Sequence, residues 1–229
     1  MPVTAQSHGV AVERLPDRLS APTHGRQLSK RILDLAVALA AFFASLPLWI
    51  VIYLAVRLSS PGPVFFRQCR VGLQGCRFTL FKFRTMRSSA DDSHRDYIQH
   101  WIHDGEQARQ GNALFKIAHD PRITPLGRFL RKYSLDELPQ LFNIVRGEMS
   151  LVGPRPATPY EVAEYQPWEK QRLTAKPGLT GLWQVSGRNC LSFERMVELD
   201  IEYIRNWTFL GDLRILLRTI PVVLRGTGH

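Results

Sequence analysis

Cysteine is scarce in this sequence. Cys69, Cys76 and Cys190 form no C-x-x-C pair and leave one thiol over. That excludes a disulfide framework and a cysteine-rich zinc site, and it fits a reducing compartment. His94, His100, His103 and His119 lie in a polar stretch without ligand spacing and read as surface residues. Acidic residues are also few: 20 Asp+Glu against 30 Lys+Arg give +10. Such a balance suits a polyanionic partner, whether nucleic acid, anionic lipid or a phosphorylated substrate. Charged residues are 22% against 45% hydrophobic, so the chain is no disordered polyelectrolyte. Its 229 residues suffice for one compact domain and an appendage, not for two large domains. Internal repeats are absent, as are Walker and Rossmann glycine patterns. No secretory signal is expected, because the first long apolar run starts past residue 30 and lacks a small-residue cleavage site.

That apolar run is the most informative physical feature. Leu35 to Val56 are 22 residues with no charge. At ~1.5 Å per residue a straight helix would reach ~33 Å, enough to cross a hydrocarbon core of ~30 Å. Twelve of the 22 are Leu, Ile, Val or Phe. At ~0.3–0.6 kcal/mol each, these favour insertion by ~4–7 kcal/mol. Arg26, Lys30 and Arg31 precede the run, and Arg57, Arg67 and Arg70 follow it. Positive residues prefer the cytoplasm, and here both ends carry them. Pro47 interrupts helical hydrogen bonding mid-run, and Ser45 is placed to satisfy a freed carbonyl. The flanking charges favour a hairpin folded at Pro47 with both ends on one side. The alternative is a spanning helix with a proline kink.

Residues 1–29 read as a flexible N-terminal tail, 30–58 as the membrane segment and 59–229 as the remaining domain. Ser59-Ser60-Pro61-Gly62-Pro63 is a turn cluster. Strand-like runs follow at Val64–Arg67 and Arg77–Phe83, separated by Gly72 and Gly75. Residues 90–111 are polar and read as a helix or loop. Leu138, Leu141, Phe142 and Val145 have i, i+3, i+4, i+7 spacing, one apolar helix face that Gly147 stops. Gly153-Pro154-Arg155-Pro156 is a rigid turn. Phe193–Trp207 reads as a charged amphipathic helix. Asp212–Arg225 reads as a basic one, with Leu213, Leu216, Leu217, Ile220 and Leu224 on one side; it suits a bilayer interface or a core equally.

Three constellations could carry chemistry. Asp136-Glu137 opens the apolar-faced helix, near its positive end. Ser134 and Glu137 are in capping-box register, which offers a purely structural reading; Pro139 instead favours Asp136 itself as the cap. Arg128, Arg131 and Lys132 upstream and Arg155 downstream suggest more. Carboxylates bind magnesium, arginine forks clamp phosphate, and a carboxylate can attack phosphorus. Lys82, Arg84 and Arg87 form a basic cluster around Phe81, Phe83 and Met86, either a phosphate-binding edge or a solvated amphipathic strand. Residues 176–189 hold one Pro, three Gly and several polar groups, either a pocket loop or a packed one.

At these residues the sequence resembles the bacterial sugar transferases, the monotopic polyprenyl-phosphate phosphoglycosyl transferases. The motifs occur in order from Lys30 onward. They are Lys-Arg-Ile-Leu-Asp (30–34), Ser-Pro-Gly-Pro-Val-Phe-Phe-Arg-Gln with Arg-Val-Gly (60–72), Phe-Lys-Phe-Arg-Thr-Met (81–86), residues 130–143 around Leu-Asp-Glu-Leu-Pro, Arg-Gly-Glu-Met-Ser-Leu-Val-Gly-Pro-Arg-Pro (146–156) and residues 176–188 from Lys-Pro-Gly to Ser-Gly-Arg. The resemblance implies transfer of a hexose 1-phosphate from a UDP-sugar to undecaprenyl phosphate, with release of UMP. It implies Asp136 as the nucleophile that carries a covalent phosphosugar, Glu137 as the Mg2+ ligand and Arg155 as a substrate-phosphate ligand. Arg131, Lys82 and Arg84 match cationic positions near the site. The implied fold class is α+β: a re-entrant membrane helix hairpin with its break at Ser45 and Pro47, then a small, mainly helical catalytic domain with a short β-hairpin and interfacial amphipathic helices. Here Leu46 precedes Pro47, whereas the family pattern is Ser-Pro. The implied place is the cytoplasmic face of a bacterial inner membrane. Its lipid and downstream glycosyltransferases are the implied partners; a homodimer is compatible, and nucleic acid is not expected. The length resembles the short form that starts exopolysaccharide units with galactose or glucose. Two rival readings stand: a membrane-tethered basic adaptor binding anionic lipid or nucleic acid, and a related scaffold without activity. Intact Asp136, Glu137 and Arg155 speak against the latter.

Overall fold

A computed structural model describes residues 24–87, 102, 122–187 and 191–226. Expectations for residues 1–23, for the polar stretch 90–111 apart from Ile102, for His119, and for Arg188, Asn189 and Cys190 lie outside the described residues.

The fold is mixed helix and strand behind one long apolar helix. Helix α1 spans His24–Ser59 with Pro47 inside it. It begins ahead of residue 30, so residues 24–29 are helix and not tail. It is one helical element, and two arms joined by a turn are not seen. Ser45 does not take the carbonyl that a proline at 47 frees, which belongs to Phe43. Its Oγ donates to Phe42 O at 3.2 Å and accepts from Trp49 Nε1 at 3.1 Å.

Strands β1 (Phe65–Val71) and β2 (Arg77–Phe83) form the expected antiparallel hairpin, with Arg67 opposite Phe81 and Phe66 opposite Lys82. Helix α2 (Pro125–Lys132) starts at Thr124, whose hydroxyl accepts from Gly127 N at 2.9 Å. A Cβ on Gly127 would strike the backbone of Thr85, so glycine permits α2 to lie against the end of the hairpin. A single 3-10 turn (Leu135–Glu137) then leads into α3 (Gln140–Arg146), which Gly147 ends in the left-handed conformation.

Strand β3 (Ser150–Val152) pairs in parallel with β4 (Gly178–Thr180). A Cβ on Gly153 would collide with Lys176 O, and one on Gly178 with Gly153 N. The glycines of the two rigid segments exist for this close approach. Short helices α4 (Pro159–Ala163) and α5 (Leu182–Val185) precede α6 (Phe193–Arg205) and α7 (Phe209–Leu224).

Three apolar clusters hold these pieces together. Met196, Val197, Phe193 and Trp183 centre one; Leu80, Ile144, Met149 and Val152 centre the second; Trp49, Val56, Phe83 and Leu130 centre the third. Helix α1 contributes to the last two through Ala38 and through Trp49, Ile52 and Val56. Polar bonds fasten its two ends to the same body. Lys30 Nζ donates to Asp212 Oδ2 at 2.6 Å, and Asp34 Oδ1 accepts from Ser150 Oγ and Leu151 N. At the other end Arg84 donates to Val56 O, Ser60 O and Pro61 O. The opposite face of α1 is bare, with Phe43 and Ile50 each 63% exposed. On α7, Leu210, Leu217, Ile220 and Leu224 are likewise exposed, while Asp212 and Ile215 face inward. The expected apolar face of α3 is split: Leu141 is buried, whereas Phe142 and Val145 are exposed, and Phe142 meets the rings of Phe42 and Trp49 on α1.

Candidate active site

Asp136 and Glu137 lie on the 3-10 turn between α2 and α3. Ser134, which opens it, has φ 55 and makes no side-chain cap bond, so the Ser-x-x-Glu capping box is not formed. A left-handed conformation at a non-glycine residue is costly and persists only when its surroundings enforce it. Here the enforcement comes from both sides. Leu130 and Ile144 are buried, and Pro139 precedes the first residue of α3. Asp136 is 7% exposed. Glu137 Oε1 accepts from Lys82 Nζ on β2 at 2.7 Å. This juxtaposition depends on Asn143, which is fully buried. Its Nδ2 donates to Thr79 O at 2.7 Å and to Glu148 Oε2 at 2.6 Å, and its Oδ1 accepts from Phe81 N at 3.3 Å. Asn143 thereby rivets α3 to β2, and the carboxylate turn and the lysine move as one body.

Of the other cations expected here, each has a distinct station. Arg131 Nε donates to Thr85 Oγ1 at 2.9 Å. Arg84 is turned to the carbonyls that close α1, as cations at helix C-termini are. Arg155, on the turn after β3, donates from Nη1 to Glu161 Oε1 at 2.9 Å and Oε2 at 3.1 Å.

Several charged residues were not singled out by the sequence. Glu161 is wholly buried on α4 and completes a capping box with Thr158; the Thr-x-x-Glu spacing was the available signal. Tyr165 OH donates to Glu161 Oε1 at 2.9 Å. Arg172 donates to Tyr165 OH and to Asp200 Oδ2. Burial alone would raise the Glu161 carboxyl, but Arg155, Arg172 and Arg70 outweigh it and hold it at about 2. Burial pushes Asp200 up to about 6 against the pull of Arg172. Arg70, on β1, donates to Pro156 O at 2.9 Å and to Gln68 Oε1 at 2.6 Å. Burial and the charge of Arg155 press its guanidinium down to about 10, while Glu161 and Glu137 pull the other way. Arg70 thus stands within electrostatic reach of both the Arg155–Glu161 pair and the Glu137–Lys82 pair. On the hairpin, Gln68, Arg70 and Lys82 share one face by register.

The donor chemistry fits a hard divalent cation. Magnesium is held by one or two carboxylates together with substrate phosphates and water, not by an all-protein cage. Two adjacent carboxylates meet that description, and no group of three acidic, His or Cys ligands occurs among the described residues.

Residues 25–226 match the family model described as bacterial sugar transferase. The chain is 42% identical over 202 residues to the galactosyl transferase CpsE of Streptococcus agalactiae, covering 88% of this chain and 43% of that protein. It is 42% identical over 201 residues to the exopolysaccharide production protein ExoY of Sinorhizobium fredii, covering 88% of each. It is 39% identical over 222 residues to the undecaprenyl-phosphate galactose phosphotransferase of Salmonella typhimurium, covering 97% of this chain and 45% of that protein. The chain therefore spans less than half the length of two of these relatives and most of the third.

Proposed function

Because the chain is an enzyme of the bacterial sugar transferase family, we propose that it transfers a hexose 1-phosphate from a UDP-sugar to undecaprenyl phosphate, the first step of an exopolysaccharide unit. The observation that carries this reading is the Asp136–Glu137 pair, fixed on a strained turn and riveted through Asn143 to a lysine-bearing strand.

In the first half-reaction an Asp136 carboxylate oxygen attacks the phosphorus that bears the sugar. The bond from that phosphorus to the bridging oxygen breaks, UMP leaves with the oxygen, and an aspartyl phosphosugar remains. In the second, a phosphate oxygen of the lipid attacks the same phosphorus, and the bond to Asp136 breaks. Asp136 returns to its carboxylate, and the product is a lipid diphosphate sugar. Glu137, with Asp136 beside it, would hold Mg2+, which when bound offsets the charge of the diphosphate. Lys82 holds the Glu137 carboxylate in place, and Arg155 binds donor phosphate. Pre-placed groups of this kind act without reorganising during reaction.

The acceptor's phosphate lies at a membrane surface, so the site must lie there too. We place α1 in one leaflet, bent at Pro47, with both ends on the cytoplasmic face. Bonds at Lys30 and Asp34 and at Val56 and Ser60 to one body support this, since a crossing helix would carry one end away. The bare apolar faces of α1 and α7 would meet acyl chains.

The test uses full-length protein in detergent with a panel of UDP-sugars, reading UMP release. Asp136→Asn should abolish release while the protein stays folded. Mass spectrometry of wild type with donor alone should find a hexose phosphate on the peptide that holds Asp136. Turnover in the variant near the wild-type rate would overturn the covalent route.

A further inference from the structure

Arg155 is gripped on one side only. Its Nη1 takes both oxygens of Glu161, while its Nε and Nη2 make no hydrogen bond among the described residues. Those two nitrogens form the side-on edge of the guanidinium, whose parallel N–H groups match two oxygens of a phosphate. The Arg155 side chain is 18% exposed, whereas that of Glu161 is fully buried.

The grip is itself immobilised. Glu161 is fully buried, receives Tyr165 OH at 2.9 Å and Thr158 N at 3.3 Å, and lies 3.6 Å from Arg172 Nη1. Arg172 is anchored on Asp200 and donates from Nη2 to Arg155 O at 3.2 Å. Arg70 holds the next carbonyl, Pro156 O. Backbone and side chain of Arg155 are thus fixed from three directions. Three guanidiniums, those of Arg70, Arg155 and Arg172, face two carboxylates, Glu161 and Asp200. Arg70 lies within electrostatic reach of Glu161 as well as of Glu137.

We infer that Glu161 is the positioning residue for Arg155, turning its Nε–Nη2 edge toward the diphosphate of the nucleotide-sugar donor. The inference rests on the proposed role of Arg155 as a phosphate ligand. Glu161 acts through Arg155 and does not touch the ligand. The cluster behind it serves to prevent the guanidinium from rotating between the carboxylate and the phosphate.

A double-mutant cycle on the full-length protein tests this, using Glu161→Gln, Arg155→Lys and the pair. UDP is the binding probe, since its affinity does not depend on which hexose is used, and donor KM and kcat are read from UMP release. Arg155→Lys should weaken UDP by ~10-fold or more, and Glu161→Gln should raise Kd and donor KM by ~10-fold with a smaller change in kcat. In the Arg155→Lys background Glu161→Gln should add less than ~2-fold, because there is no fork left to aim. Equal factors in both backgrounds would make Glu161 a structural residue only and overturn the inference. Should Glu161→Gln fail to fold, Tyr165→Phe replaces it in the same cycle. Unchanged UDP affinity in Arg155→Lys would instead overturn the phosphate role of Arg155 on which the inference stands. Loss of UMP release with every UDP-sugar in wild type would sink the proposed reaction but leave the UDP cycle readable.

Discussion

Lys82 Nζ and Glu137 Oε1 stand 2.7 Å apart, one on a strand and the other on a turn 55 residues later, with side chains 26% and 28% exposed. The pair is too accessible to be a major source of stability. It ties the Glu137 carboxylate of the turn proposed as catalytic to strand β2. Lys82→Met should therefore lower kcat/KM for UMP release by ~10–100-fold. Its melting temperature should fall by less than ~4 °C. A large melting shift with normal turnover would assign the pair to structure.

Arg84 is two residues from Lys82 and has a different task. It donates to three carbonyls at the end of α1, and Gly62 is packed against its guanidinium. Arg84→Gln should cost about 2–3 kcal/mol of stability, because hydrogen bonds from a charged donor to those carbonyls are lost. Thermal melting in detergent checks this. Donor KM in the surviving folded fraction should match wild type.

The acid limb of stability follows from Glu161. Its folded pKa is lowered from 4.5 to about 2 by the three arginines around it, against burial. A depressed carboxyl contributes stability that is complete above the unfolded value and is lost as pH falls through the folded one. Melting temperature should therefore decline between pH 4.5 and pH 2. In Glu161→Gln that decline should be shallower, from a lower starting point. Parallel curves for the two proteins would refute the assignment.

Gly153→Ala tests the support of the Arg155 turn. The new methyl group would meet the backbone of Lys176 and Gly178, which cannot swing aside as a side chain could. A loss of at least ~2 kcal/mol is expected, with weakened UDP binding as the β3–β4 pair opens. Chemical denaturation and calorimetry read the two effects.

Leu217 and Leu224 are 68% and 72% exposed on α7. Replacing both with Glu should leave melting near wild type and reduce flotation with vesicles, if that stripe faces lipid. Unchanged flotation would return α7 to the aqueous surface.

The β-hairpin, the two C-terminal helices and the apolar segment were legible locally. Alternating Phe and Lys set the strand, and Leu and Ile at helical spacing set α7. The carboxylate pair and its neighbouring cations were legible as chemistry. Their division of labour was not. Alternation puts Lys82 and Arg84 on one face of a strand, yet β2 ends at Phe83. Lys82 meets Glu137, and Arg84, just beyond the strand, meets the end of α1. Sequence spacing places both on one side but contains no information about which segment returns to cover each. The capping box read at Ser134 fails because the turn is held left-handed by packing, while the one at Thr158 forms and carries Glu161.

What the sequence by itself determined was a charge surplus, one segment long and apolar enough to cross a membrane and two adjacent acids near arginines in the chain. Those are properties of residue type and short-range period. Only the tertiary structure decided that Glu137 meets Lys82, that both ends of α1 rest on one body, and that Glu161 clamps Arg155 through Nη1. The reason is that these contacts join residues far apart in the chain. Asn143 on Thr79, Lys30 on Asp212 and Arg172 on Asp200 form only once the apolar clusters have brought their elements together.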